Sequence, residues 1–178
     1  DEINRGNLSQ VFGEMFSLLE SDKRGRAHAI TPLYMRNELD TVSVPENLYI
    51  IGTMNLADRS LALVDYALRR RFAFITLEPK FKDMAYRGWL IERGMDEQLV
   101  DKIINSMTTL NDKISDDRQL GRAYQIGHSF FCPPGNEFSN LDTGWFEEII
   151  STEIKPLVEE YWFDEPEKVK TAFNEVYE

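Results

Sequence analysis

Residues Met54–Phe72 read MNLADRSLALVDYALRRRF, and the runs on either side of them decide the fold. Leu48-Tyr49-Ile50-Ile51-Gly52 leads into the stretch, and Phe72-Ala73-Phe74-Ile75 leads out of it. A continuous apolar run of this length suits a parallel strand buried on both faces. The pattern predicts a strand over Leu48–Thr53 that delivers Asn55 to its carboxyl end. A helix is expected from about Asp58 or Ser60 to Arg69, Arg70 and Arg71, followed by a strand over Arg71–Leu77. A polar residue thus stands at one end of a short element and a cationic cluster at the other.

Upstream, Asp1-Glu2 reads as the carboxyl tip of a preceding apolar strand, so the chain is expected to be a fragment of a longer protein. Gly6-Asn7 predicts a turn. Leu8, Val11, Phe12, Met15, Leu18 and Leu19 recur at helical spacing, which predicts a helix over Leu8–Glu20. Ala29–Tyr34 and Leu39–Val44 read as a hairpin or an irregular insertion. Pro79 marks a break, after which helices are expected over Asp83–Arg93, Asp96–Ile114, Gly144–Trp162 and Glu165–Val176. Pro156 should kink or divide the third of these. Ile126–Phe131 reads as a short strand or a helix start, and Cys132–Thr143 as a loop. The expected fold is therefore α/β over 1–78, a parallel sheet with helices, and mainly helical over 79–178.

Apolar residues make up 42% of the chain, enough for a packed core, and no apolar run approaches the roughly 20 residues that span a bilayer. No membrane partner is expected. The single cysteine, Cys132, excludes an intrachain disulfide and fits a reducing, cytoplasmic setting. Net charge is −11, of which residues 78–178 carry −10. That half would repel a phosphate backbone, so DNA is expected to be reached through other domains. Its acidity is a solvated surface or a docking face for a basic partner. Two histidines, His28 and His128, and no cysteine cluster exclude a zinc-type site.

An acidic pair at a strand tip can hold a metal and a water together. Asp1 would bind Mg²⁺, and Glu2 would orient or deprotonate a water attacking a γ-phosphate. Taken alone, an Asp-Glu dipeptide is far more often plain surface; Asn4, Arg5, Gly6 and Asn7 beside an amphipathic helix change its weight. A neutral amide at Asn55 can donate to a phosphate oxygen, in the crevice where doubly wound sheets bind ligands. The ordinary alternative is an Asn at a strand–helix turn. Ser60 is better read as a helix cap. One arginine would suffice to answer the negative end of a helix. Three in succession suggest that at least one reaches out of the subunit to stabilise charge on a transferred phosphoryl group. That requires an oligomer, in the form of a ring. Nothing in the chain resembles G-x-x-x-x-G-K-[ST], the loop that cradles phosphates.

The segments Asp-Glu-Ile-Asn-Arg-Gly-Asn (1–7), Met-Asn-Leu-Ala-Asp-Arg-Ser (54–60) and Asp-Tyr-Ala-Leu-Arg-Arg-Arg-Phe (65–72) resemble the McrB family of AAA+ motor subunits. That family works in restriction systems directed against methylcytosine-containing DNA. Leu56 departs from the family's usual Thr. The resemblance continues through Leu120-Gly121-Arg122, Ile126–Phe131 and Ile154–Tyr161. It implies the C-terminal part of an AAA+ P-loop NTPase core over 1–78, followed by a helical lid subdomain over 79–178. Asp1 and Glu2 then correspond to the Walker B pair and Asn55 to the first sensor. Asp58 and Arg59 fall in the signature for nucleotide binding and subunit contacts. Arg70 and Arg71 become candidate arginine fingers, and Arg122 or His128 a candidate second sensor. His128 is more readily explained as a hydrogen-bonded structural residue.

The expected function is that of a ring-forming nucleoside triphosphatase that uses Mg²⁺ with GTP or ATP, GTP favoured. The implied partners are further copies of itself, six in the usual ring, and a separate nuclease subunit. The alternatives are a general remodelling ATPase or, for this stretch alone, an oligomerisation and lid module without activity. Removing charge at Arg70 and Arg71 is expected to abolish hydrolysis and spare monomer folding.

Overall fold

A glycine decides where the first helix ends. In the computed structural model, which describes residues 1–34, 37, 40–57, 69–135 and 137–177, helix α1 spans Leu8–Phe12. The Asn7 side chain caps it, accepting from the Gln10 amide at 3.1 Å. The helix expected to reach Glu20 stops being α-helical at Gly13, where φ is 51°. That conformation suits a residue with no Cβ, and Gly13–Leu19 continues as tighter 3-10 turns. Two compact units result, Asp1–Thr76 and Leu77–Glu178.

In the first unit, Leu18 and Leu19 are the buried hydrophobic side chains among the described residues. Arg24 secures them, donating to the Leu19 carbonyl at 3.1 Å and to the Leu48 carbonyl. Of the expected hairpin or irregular insertion, the described residues show one antiparallel bridge, Ile30 with Val42, closed by bonds of 2.9 and 2.8 Å. Part of its second arm, Leu39, lies outside the described residues, as do Asp58, Ser60 and the body of the helix expected after them.

The parallel sheet expected here is not formed by the described residues. Leu48–Thr53 and residues 73–77 carry no regular secondary structure, and neither enters a ladder. Tyr49 is 85% exposed, Ile51 92% and Ile75 83%, where strands buried on both faces were expected. Burial of a parallel strand needs hydrogen-bonded neighbours at its edges and helices over its faces. The described part of this unit supplies one such backbone bond to the first segment, from Ile3 N–H to the Thr53 carbonyl at 3.0 Å.

The second unit is helical, and aspartates set where its helices begin. Asp83 accepts from Ala85 N at 2.9 Å and opens α2 (Met84–Glu92). Asp96 accepts from Gln98 N and Leu99 N at 2.9 and 3.2 Å and opens α3 (Glu97–Asp116). Asp142 accepts from Trp145 N at 3.0 Å and opens α4 (Thr143–Ile149). Each cap is worth about 1 kcal/mol. The predicted stripe on α3, Leu99, Ile103, Met107, Leu110 and Ile114, is buried throughout and forms the centre of the core. Helix α6 (Pro166–Tyr177) adds Val169, Ala172, Phe173 and Val176 to that core and is tied to α3 by Ser106 Oγ, which donates to the Val176 carbonyl at 3.1 Å.

The helix expected over Gly144–Trp162 is continuous but widened. A π turn, Ile150–Ile154, joins α4 to α5 (Lys155–Tyr161). Pro156 has no N–H for the Thr152 carbonyl, and its ring would crowd that carbonyl in a tight α-turn. The Ser151 and Thr152 hydroxyls donate to the Glu148 carbonyl at 3.0 and 2.8 Å. Widening also fixes the register. Phe146, Ile150, Ile154, Val158 and Trp162 stand four apart and are all buried. Four residues of α-helix overshoot a full turn by about 40°, so such a stripe would drift off the core without a wider turn to absorb it.

Asp117, just past α3, is the polar hub of this unit. Its Oδ1 accepts from Gln119 N (2.8 Å) and Leu120 N (3.3 Å), and its Oδ2 from Trp162 Nε1 (3.0 Å) and Lys168 Nζ (2.9 Å). Burial pushes this carboxyl up, but the Lys168, Gln119 and Trp162 bonds outweigh it and hold it at about 2. Its folded-state value is depressed, so its contribution is present above the usual carboxylate range near 4 and is lost as pH falls towards 2. Asp117→Asn is expected to lower stability at pH 7 by about 1–2 kcal/mol and by much less at pH 2. Urea unfolding followed by far-ultraviolet circular dichroism at the two pH values measures this; equal losses at both would refute the hub.

Candidate functional site

The acidic pair and the Asn-bearing turn, about fifty residues apart in sequence, lie side by side in the first unit. Ile3 N–H donates to the Thr53 carbonyl at 3.0 Å. The Thr53 hydroxyl donates to Asp1 Oδ1, and Glu2 N–H lies 3.2 Å from Thr53 Oγ1 and 3.1 Å from Asp1 Oδ1. Asn4 Nδ2 donates to the Asn55 carbonyl at 3.2 Å. Gly52 makes the approach possible: a Cβ there would sit 2.6 Å from Ile3 Cδ1 and 3.1 Å from its Cγ2. The β-branched Ile3 has little rotamer freedom with which to yield.

Glu2 is the non-glycine residue with positive φ among the described residues, at φ 45° and ψ 50°. A left-handed backbone costs an L-residue about 1–2 kcal/mol, and it persists where surrounding bonds over-determine it. Here those bonds run from its neighbour Ile3 to Thr53, and from Arg5 N–H to the Glu2 carbonyl at 2.9 Å. The Glu2 carboxylate pairs with Arg5 Nε at 2.7 Å. Asn55 Oδ1 accepts from Ala57 N at 3.0 Å, so its local bond occupies the oxygen and leaves the NH₂ to donate.

The three arginines have different surroundings. Arg71 is buried, its side chain 7% exposed, paired with Glu20 at 2.7 Å and lying over the Phe16 ring at 4.5 Å. Arg70 is 68% exposed and 3.6 Å from the same Glu20. Arg69 lies over Phe74 at 5.9 Å. Arg71 is thus engaged inside its own unit, and Arg70 is the more outward of the two candidate fingers. Asp58 and Arg59 lie outside the described residues.

In the second unit, Arg122 is exposed and opens a 3-10 turn, Arg122–Tyr124. His128 has a structural role. Its Nδ1 accepts from Lys80 N at 3.2 Å, and its ring packs edge-on against Tyr86 and Phe81. The loop carrying Arg122 is held by a residue the sequence did not single out. Buried Asn111 donates through Nδ2 to the Ile126 carbonyl at 2.9 Å and accepts through Oδ1 from Ile126 N at 2.7 Å. An Asn on the mainly apolar face of α3 was the available signal. Asn4 and Thr53, which join the two halves of the first site, were likewise not named as site residues.

Among the described residues, no three or more His, Cys, Asp or Glu side chains could hold a metal unaided. Asp1 offers one carboxylate. That donor set fits Mg²⁺, which takes one or two carboxylates and completes its shell with phosphates and water.

Two family models match the chain in succession. Residues 1–72 match "AAA domain (dynein-related subfamily)" and residues 102–170 match "McrB, alpha-helical lid domain". Across 99% of its length the chain is 47% identical to the "Type IV methyl-directed restriction enzyme EcoKMcrB subunit" of Escherichia coli (strain K12). The chain resembles McrB-type AAA proteins along nearly its whole length. Over 68% of its length it is also 31% identical to the "Type II restriction enzyme BsuMI component YdiS" of Bacillus subtilis (strain 168). It spans 39% of the length of each of these relatives. The AAA match contains Asp1, Glu2, Asn55, Asp58, Arg59, Arg70 and Arg71, and the lid match contains Asn111, Asp117, Arg122 and His128. No helix among the described residues is long and apolar enough to cross a membrane.

The burial contrast makes the two arginines separable. Arg71→Ala removes the closer, buried partner of Glu20 and the cation over Phe16, a loss of about 2–4 kcal/mol for the first unit. Arg70→Ala should leave that unit's stability within about 0.5 kcal/mol. Hydrogen exchange over residues 13–24 reads the difference. Equal deprotection in the two variants would overturn this division of roles, which replaces the expectation that neither arginine matters for folding.

Proposed function

We propose that this chain is the sensing and stimulating part of a ring-forming AAA+ nucleoside triphosphatase, GTP favoured and ATP the alternative. Its motor would serve modification-dependent DNA restriction together with a separate nuclease subunit. The observation that carries the reading is the bonded juxtaposition of Asp1-Glu2 with Thr53–Asn55. A carboxylate pair beside a free amide donor is what water activation at a γ-phosphate requires.

In this reading Glu2 orients or deprotonates the attacking water. Its carboxylate must first leave Arg5, or share it, so that an oxygen is free to accept from the water. Asn55 donates from its NH₂ to a phosphate oxygen while Ala57 holds its other end. Asp1 would hold Mg²⁺, which supplies charge neutralisation for the phosphates when bound. Arg70 reaches a neighbouring subunit's nucleotide, and Arg71 braces the turn that presents it. Asp58 and Arg59 contribute to nucleotide and subunit contacts, and Arg122 is the candidate lid sensor. The motor works as a ring, in the usual case of six copies, in the cytoplasm, with DNA engaged through other domains.

The chain's sequence has no phosphate-cradling loop. The 178-residue stretch by itself is accordingly expected neither to bind nor to hydrolyse nucleotide with useful affinity.

In the full-length protein, Glu2→Gln, Asn55→Ala and Arg70→Ala should each lower kcat by roughly 10²–10³. Glu2→Gln and Arg70→Ala carry complementary defects. Mixed at equal amounts, they should regenerate intact sites at roughly a quarter of randomly formed interfaces. Steady-state phosphate release with GTP and with ATP tests all of this. Failure of the mixture to regain activity would place Arg70 in cis, and turnover of ATP alone would remove the GTP assignment.

A further inference from the structure

The second unit holds a groove of about 510 Å³ between α5 and α6 that the nucleotide reading does not use. Its floor is apolar: Trp162, Val169 and Phe173 line it and are themselves buried. At its rim Phe163 is 85% exposed and Tyr177 44% exposed. Large aromatic side chains left in water beside an apolar floor are the usual anchor points of protein recognition.

The charges around it narrow the occupant. Lys155 and Lys170 line the groove, against one carboxylate, Glu159. Four basic side chains of this acid-rich unit are held by acidic partners away from the groove. Lys82 pairs with Asp112, Arg87 with Glu97 and Asp101, Lys113 with Glu175, and Lys168 with Asp117 and Glu165. Lys155 and Lys170 have no ion pair among the described residues. With twenty-one acidic residues in 78–178, two such lysines on one apolar rim leave a local positive spot in a negative surface. An incoming carboxylate would be attracted there and repelled by the surroundings, which fixes register as well as affinity.

We propose that this groove docks a short segment of a partner protein in which a bulky apolar side chain is flanked by carboxylates. The apolar residue seats on Trp162 and Phe173 beside Phe163, and the carboxylates meet Lys155 and Lys170. A phosphate-bearing strand is disfavoured because the rest of the unit is acidic.

Fluorescence anisotropy on the full-length protein tests this with two labelled peptides. One carries a Leu-Phe pair flanked by glutamates, and the other has glutamines in their place. The glutamate peptide should bind saturably, and the glutamine peptide at least about tenfold more weakly. The double variant Lys155→Glu/Lys170→Glu and the variant Phe163→Ala should each weaken the glutamate peptide at least about tenfold. Both variants change exposed side chains, so their thermal unfolding should match the parent. Equal binding of the two peptides, no saturation, or insensitivity to the lysine reversals would overturn the proposal. So would competition by a single-stranded oligonucleotide. Self-association of the protein that Phe163→Ala abolishes would assign the groove to a second copy instead and equally overturn it.

Discussion

One backbone hydrogen bond, from Ile3 N–H to the Thr53 carbonyl, holds the two halves of the candidate site together. Around it the Thr53 hydroxyl meets Asp1, the Glu2 amide meets Thr53, and Asn4 meets the Asn55 carbonyl. Gly52 is the steric condition for all of them, since any side chain there would strike Ile3. Glu2 pays for its position with left-handed backbone. Strain of that kind persists only where neighbouring bonds leave the residue no alternative. The acidic pair is therefore aimed by its contacts to a distant segment.

The second unit is organised by burial instead. Its core is a contiguous set of apolar side chains centred on α3, and burying each is worth about 1.5–3 kcal/mol. Two polar side chains, Asn111 and Asp117, do what apolar packing cannot. They satisfy backbone groups at Ile126, Gln119 and Leu120, and so give one conformation to a loop that would otherwise expose unpaired amides. Leaving the buried Ile126 groups unpaired would cost about 1–3 kcal/mol each. The loop that presents Arg122 is thus tied at both its ends.

The helices of the second unit were legible because their signals are local. Aspartate caps and a 3.6-residue stripe act over a few residues, and α2, α3 and α6 start within one residue of the expected positions. The first unit was less legible. Its apolar runs predicted buried strands, but Tyr49, Ile51 and Ile75 stand in solvent in the described residues. A strand is stabilised by partners that a local pattern does not contain. Gly13 likewise shortened a helix whose stripe continued past it.

Sequence by itself determined the chemistry available here: which carboxylates, amide and arginines recur in motif order, and which family they resemble. It also determined the lid's helix starts and its apolar stripe. Only the tertiary structure decided which groups meet. It set Asn55 beside Asp1-Glu2, buried Arg71 against Glu20 and Phe16 while leaving Arg70 outside, and widened one helical turn before Pro156. The reason is physical. Charge, cap and periodicity are properties of neighbouring residues, whereas burial and pairing depend on residues brought together from far along the chain.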